Sequence, residues 1–154
     1  MTTRGIKFLK SRKIKHDVVR YEHAAKGAEF AAQAVGFPLS RTVKTLVVAL
    51  DNGAFVLVMM PGDRQLSMKK IAAACDAKRA AMADTATAQR LTGYLVGGIS
   101  PFGTQKRMPA YMEIGLKNHP DVMINAGQRG IMVKMAPDDI VQALNAKTAD
   151  LVQE

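Results

Sequence analysis

The chain has no tryptophan, a single cysteine and few aromatic residues, 5% in all. One cysteine excludes an internal disulfide, which suits a reducing compartment. Scarce aromatics argue against a stacking platform for long single-stranded nucleic acid. No apolar run is long enough to span a bilayer. Residues 1–15 are basic but lack the apolar stretch of a secretory signal, so a soluble cytoplasmic protein with no membrane attachment is expected. Acidic residues are scarce too: 13 Asp and Glu stand against 22 Lys and Arg, a net charge of +9. That surplus favours polyanionic partners, nucleic acid first, although charge alone is equally compatible with a basic and inert surface.

What is present suffices for a core. Hydrophobic residues make up 48% of 154, and 10 methionines supply pliable filling. The length suits one domain spanning 1–154. Thr2 or Thr3 can cap a first amphipathic helix ending near Arg12, with Ile6, Leu9 and Phe8 inward. Asp17 to Tyr21 reads as a short strand, and Gly27 to Val35 as a helix stopped by Gly36. Thr42 to Leu50 and Ala54 to Met60 are apolar runs around Asp51-Asn52-Gly53, the strongest hairpin signal in the chain. Both runs are apolar on both faces, which predicts central strands covered on both sides. Helices are predicted from Met68 to Cys75 behind Ser67, from Thr85 to Leu91 behind Asp84, and from Pro137 to Ala146. Ala80 to Ala83, Tyr111 to Ile114, Val122 to Asn125 and Ile131 to Met135 read as strands. Short strands mixed with helices predict an α+β fold with a curled, barrel-like mixed sheet surrounded by helices.

Several chemistries are removed by the residues themselves. His16, His23 and His119 have no metal-ligand spacing with one another or with an acid cluster, so no metal and no cofactor are expected. Cys75 follows three alanines on an apolar helix and reads as a small buried thiol. There is no Gly-x-Ser-x-Gly elbow and no Walker loop.

Three features remain. Lys44 shares a strand face with Leu46, Val48 and Leu50. On strand position alone it reads as a lysine snorkelling to solvent. Pocketed, it could bind phosphate or a carbonyl oxygen, with a shifted pKa. Gly97-Gly98-Ile99-Ser100-Pro101-Phe102-Gly103 is a loop whose backbone N–H groups suit an anion or an oxyanion, or it is a mere turn. Asn125-Ala126-Gly127-Gln128-Arg129-Gly130 reads as a glycine-bearing connection carrying a cation. Basic residues also cluster at Arg4 to Lys15, Lys69-Lys70, Lys78-Arg79 and Lys106-Arg107, and together they can track a phosphate backbone.

In order along the chain, Tyr21-Glu22-His23, Phe30, Val43-Lys44-Thr45-Leu46, Met82-Ala83-Asp84, Thr92 to Gly103 and Gly127-Gln128-Arg129-Gly130 resemble the YbaK family of aminoacyl-tRNA deacylases, in particular its Cys-tRNA(Pro) branch. The glycine loop is the most specific piece. The resemblance implies a curled mixed sheet with helices. It implies hydrolysis of the ester between a wrongly attached amino acid and tRNA, in trans beside prolyl-tRNA synthetase, where a synthetase pocket sorts small amino acids poorly. It assigns Lys44 and Thr45 to the reactive centre, with Gly97 and Gly98 facing the substrate carbonyl. Tyr21, Phe30, Ser100, Asn125, Ala126 and Met132 fall around the amino acid. Lys69, Lys70, Lys106, Arg107 and Arg129 are candidates for the nucleic acid. It further implies that the substrate's own thiol attacks its ester, with the protein supplying position and charge stabilisation. Two departures stand out. Asn125-Ala126 replaces the usual Ser-Gly, and Met132, with Lys134 close by, replaces an acid. Relatives acting on alanine, serine or threonine, or a non-catalytic tRNA- or synthetase-binding module, are the alternatives.

Overall fold

The computed structural model describes residues 2–22 and 28–154, with residues 28–30 and 34 described in backbone only. His23 and the predicted helix start at Gly27 lie outside the described residues. Among those described, the helices are α1 (Arg4–Ser11), α2 (Ala28–Val35), α3 (Met68–Ala74), α4 (Thr85–Thr92) and α5 (Pro137–Leu144). The strands are β1 (Asp17–Arg20), β2 (Thr42–Leu50), β3 (Phe55–Pro61), β4 (Ala80–Met82), β5 (Ala110–Glu113), β6 (Val122–Gln128), β7 (Ile131–Met135) and β8 (Lys147–Ala149).

All the strands join one mixed sheet in the order β1-β7-β6-β2-β3-β5-β8, with β4 paired to β2 off that path. β2 pairs antiparallel with β3 and parallel with β6; β3–β5 and β5–β8 are also parallel. The sheet is open, with β1 and β8 at its ends. The barrel-like closure expected from the sequence is therefore not reached.

The β2–β3 hairpin sits at the centre, as two doubly apolar runs predict. Its turn differs in detail. Gly53 takes φ +87° while Asn52 is not left-handed, and the Asn52 Oδ1 accepts from the Ala54 N–H at 3.0 Å. Asn-Gly located the turn, but only its glycine needs the positive φ.

Alternation along β2 feeds two cores. Val43 and Val47 join Leu57, Met59, Phe102 and Ile124 beneath α1 and α5. Val48 and Leu50 join Val58, Met60, Ile71 and Leu151 beneath α3. Helix α1 is fastened to the first side by Thr3, whose Oγ1 accepts the Ile6 N–H and donates to the Ala126 carbonyl at 2.5 Å. Gly5 permits that approach, since a Cβ there would lie 2.5 Å from the Ala126 oxygen. Ser67 and Asp84 cap α3 and α4 as predicted, and Pro137 opens α5. Strand β8 carries too few residues to show a period and was not predicted. Among the described residues no helix is long and apolar enough to cross a membrane.

Candidate active site

Strand β2 is paired with β3 along one side from Val43 to Ala49. Its other side meets β6 only at Thr42 and Val43, and β4 only from Val48 to Leu50. Within the break between them, the Ala83 N–H reaches the Val47 carbonyl at 3.0 Å. Thr42 and Leu50 turn their peptide groups toward the β3 side, where Gly62 and Ala54 bond them, whereas Val47 turns toward β4. Strand alternation therefore aims the peptide edge of Thr45 into the break.

A cavity of about 280 Å³ opens there. Lys44 and Thr45 both line it from the broken strand, and Gly97 and Ile99 line it from the glycine loop. Asn125 and Met132 close it from β6 and β7, with Tyr21 and Ala31 beside them. Met132 and Ala31 are buried in a small apolar cluster that also includes Tyr21 and Phe37. Arg41 ties this corner together through an ion pair with Asp121 and by stacking over Phe37 at 4.7 Å.

The polar groups of the cavity are unusual in what they lack. Thr45 Oγ1 is buried with no hydrogen-bond partner among the described residues. A buried hydroxyl left unpaired costs about 1–3 kcal/mol, which a bound ligand can recover. Burial lowers the Lys44 pKa from the ordinary 10.5 because the ammonium loses water, and the Asp63 carboxylate partly opposes the shift. No Asp, Glu, His, Cys or Ser is among the described lining residues. Among the described residues the cavity thus offers one cation, hydroxyls, an amide and backbone groups, without a Ser–His or Cys–His pair.

The glycine loop is held tightly. The Asn125 Nδ2 donates to the Gly97 carbonyl at 3.3 Å while its Oδ1 accepts the Gly127 N–H at 2.7 Å. The Arg129 guanidinium donates to the Val96 carbonyl at 3.2 Å. The Val96 N–H donates to Gln89 Oε1 at 2.9 Å. Each tie comes from a different element, so the loop is positioned by β6, the β6–β7 turn and α4 together.

The structure sorts the residues expected from the sequence. Lys44, Thr45, Gly97, Tyr21, Asn125 and Met132 converge on the cavity. Gly98 does not line it. Its N–H donates to the Leu95 carbonyl at 2.9 Å, so it is not free to face a substrate carbonyl. Gly98 is needed instead for close packing, since a Cβ would lie 3.0 Å from the backbone of Gln128 and Arg129. Ser100 is fully buried and accepts the Phe102 N–H at 3.1 Å, which shapes the loop from within. Ala126 is fully buried beneath α1. The Phe30 side chain lies outside the described residues. Arg129 is half-buried as a loop tie, not a surface cation. Lys69 and Lys70 lie on α3, over the other core, and Lys70 is bound to Asp150 at 2.9 Å and to the Val152 carbonyl at 2.8 Å. Lys106 and Arg107 are exposed beyond the glycine loop. Cys75 is half-buried beside the second core, more open than its alanine-rich context suggested. Sequence reasoning missed Leu46, Val47, Thr85, Val96 and Ile99 as lining residues. Only knowledge of the break in pairing could have selected them among similar apolar residues.

A cation and a hydroxyl with no partner among the described residues thus meet at a broken central strand, walled by a tethered glycine loop. The chain belongs to the family described as aminoacyl-tRNA editing domain, whose model matches residues 22–143. It is 32% identical, over 80% of its length and 76% of the relative's, to the protein of Enterococcus faecalis named "Putative Cys-tRNA(Pro)/Cys-tRNA(Cys) deacylase EbsC". A stretch covering 71% of the chain is 30% identical to 19% of the proline–tRNA ligase of a Sulfurihydrogenibium species. Among solved structures it superposes with a TM-score of 0.89 on "a putative trans-editing enzyme for prolyl tRNA synthetase", at 27% identity over 98% of this chain and 96% of that one. The fold and family expected from the Lys-Thr pair and the glycine loop are those found.

Proposed function

We propose that this protein is a trans-acting editing hydrolase that deacylates mischarged tRNA, with Cys-tRNA(Pro) as its substrate and prolyl-tRNA synthetase as the source of the error. The observation that carries the reading is the Thr45 hydroxyl, without a partner among the described residues, next in sequence to the half-buried Lys44, in a cavity whose described lining has no Asp, Glu, His, Cys or Ser. Such a site suits an ester whose attacking group comes from the substrate. For cysteine, the thiol sulfur attacks the ester carbonyl carbon as the thiol gives up its proton. The carbon–oxygen bond to the ribose then breaks and the 3′ oxygen takes a proton. Water opens the resulting cyclic thioester to free cysteine. Lys44 stabilises the charge gathering on the carbonyl oxygen or on the adjacent phosphate, and Thr45 and Gly97 fix the acyl group. Met132, Ala31 and Tyr21 give the side chain of the amino acid an apolar seat.

The test charges tRNA(Pro) separately with cysteine, alanine and serine, and follows deacylation by the wild type and by Lys44→Ala. Rapid loss of cysteine, abolished by Lys44→Ala, is the expected result. Preferential loss of alanine would move the protein to the alanine-editing alternative, which the apolar Met132 seat also suits. No hydrolysis of any ester would sink the enzyme reading.

A further inference from the structure

We infer that a cationic groove beside α1 holds the phosphate backbone of the RNA whose aminoacylated end occupies the cavity. The inference rests on the editing reading above. The groove, about 510 Å³, is walled by Lys7, Arg12 and Arg107 over apolar residues that include Phe8 and Met108. A neighbouring depression of about 440 Å³ shares Arg107 and Met108 with it and adds Lys147. Among the described residues no acid lines either one. Lys7, Arg12, Arg107 and Lys147 are all exposed. The ion pairs among the described residues involve Arg41, Lys70 and Lys117, and none of these four. Arg12 lies 3.8 Å from the centre of the Phe8 ring, which holds its guanidinium at the groove wall. Arg4 is different: it bonds the Gly103 and Thr92 carbonyls and stays part of the scaffold.

The same loop borders both sites. Gly97 and Ile99 line the cavity, while Pro101 and Gly103 line the groove. Gly103 follows Gly97 by six positions, so the chain between them spans no more than roughly 20 Å even fully extended. An RNA end seated in the cavity has only a few nucleotides to cross before reaching the groove. Separate cations strung across two adjoining depressions match the repeated charge of a nucleic-acid backbone. Lys10, Lys13 and Lys15 are also exposed, and the first acid in the chain is Asp17.

The experiment compares wild type with Lys7→Glu/Arg107→Glu and with Arg64→Glu, which places the same kind of charge change at an exposed position that lines neither depression nor the cavity. Binding of uncharged tRNA is followed by fluorescence anisotropy against salt, and deacylation is measured on full-length aminoacyl-tRNA and on an aminoacylated CCA trinucleotide. The groove variant is expected to bind tRNA about tenfold more weakly near 0.1 M salt, with the slope of log affinity against log salt shallower by about 2. Its loss of kcat/KM is expected to be confined to the full-length substrate. Wild-type affinity and slope in the groove variant would overturn the inference, as would an equal loss in Arg64→Glu. Groove-variant binding that is lost for polyglutamate but kept for tRNA would assign the groove to an acidic protein and also overturn it. A wild type that binds tRNA through the groove yet hydrolyses neither ester would uphold the groove and sink the editing reading.

Discussion

The two halves of β2 share one partner strand and differ in fate. Val48 to Leu50 is paired with β3 on one side and β4 on the other, and Val48 is fully buried. Lys44 to Leu46 has the same apolar company and the same β3 partner, yet no strand on its second side. The first half is a core strand. The second is the wall of a cavity, because the ladder with β6 ends two residues before Thr45 and the one with β4 begins three residues after it. Function on this strand follows from where hydrogen-bond pairing stops, more than from which side chains the strand carries.

Substitutions in the two halves should separate activity from stability. The largest effect is expected from Lys44→Ala, with a fall of about 100-fold or more in kcat/KM for deacylation and an unchanged melting temperature. Activity within threefold of wild type would remove Lys44 from the chemistry. Val48→Ala, on the paired half, should do the reverse: about 1.5–3 kcal/mol of stability lost in urea unfolding, with kcat/KM intact at temperatures where the protein stays folded. A stable but inactive Val48→Ala would erase the distinction between the halves.

Thr45→Val tests the break itself. It keeps the shape and removes a hydroxyl that has no partner among the described residues. Stability should hold or rise by about 1 kcal/mol while deacylation slows about tenfold. A loss of stability would mean that the hydroxyl is already satisfied in the free protein. The smallest effect is expected from Asp63→Asn. Removing the carboxylate that opposes desolvation lowers the Lys44 pKa further, so the alkaline limb of the rate profile should move to lower pH. The sign for stability follows from the same depression. The unfolded chain holds the Lys44 proton more tightly than the folded one. Stability therefore rises with pH from the folded pKa up toward 10.5, and Asp63→Asn should widen that window. An unmoved pH profile would show that the field of Asp63 does not reach the working group.

Much of this fold was legible in the chain. Caps at Thr3, Ser67 and Asp84, the Pro137 helix start and the central hairpin all follow from local rules acting within a few residues. The site was legible in part. Lys44, Thr45 and the glycine loop stood out through a family resemblance, whereas strand position alone left Lys44 a surface lysine. Gly98, Ser100 and Ala126 share the loop and turn motifs but do not line the cavity, since a motif reports which residues travel together and not which face a cavity. The basic clusters met different surroundings. Lys70 carries its charge into an ion pair with Asp150, while Lys7 and Arg107, from distant parts of the sequence, share one groove.

By itself the sequence determined the elements, the central hairpin, the positive charge and the absence of an internal disulfide, because these depend on local preferences and on counts. Only the tertiary structure decided that β6 and β4 meet β2 at its two ends and leave Thr45 between them. That arrangement is set by long-range pairing and packing among strands far apart in the chain, and it turns a lysine on an apolar strand into the cation of a cavity.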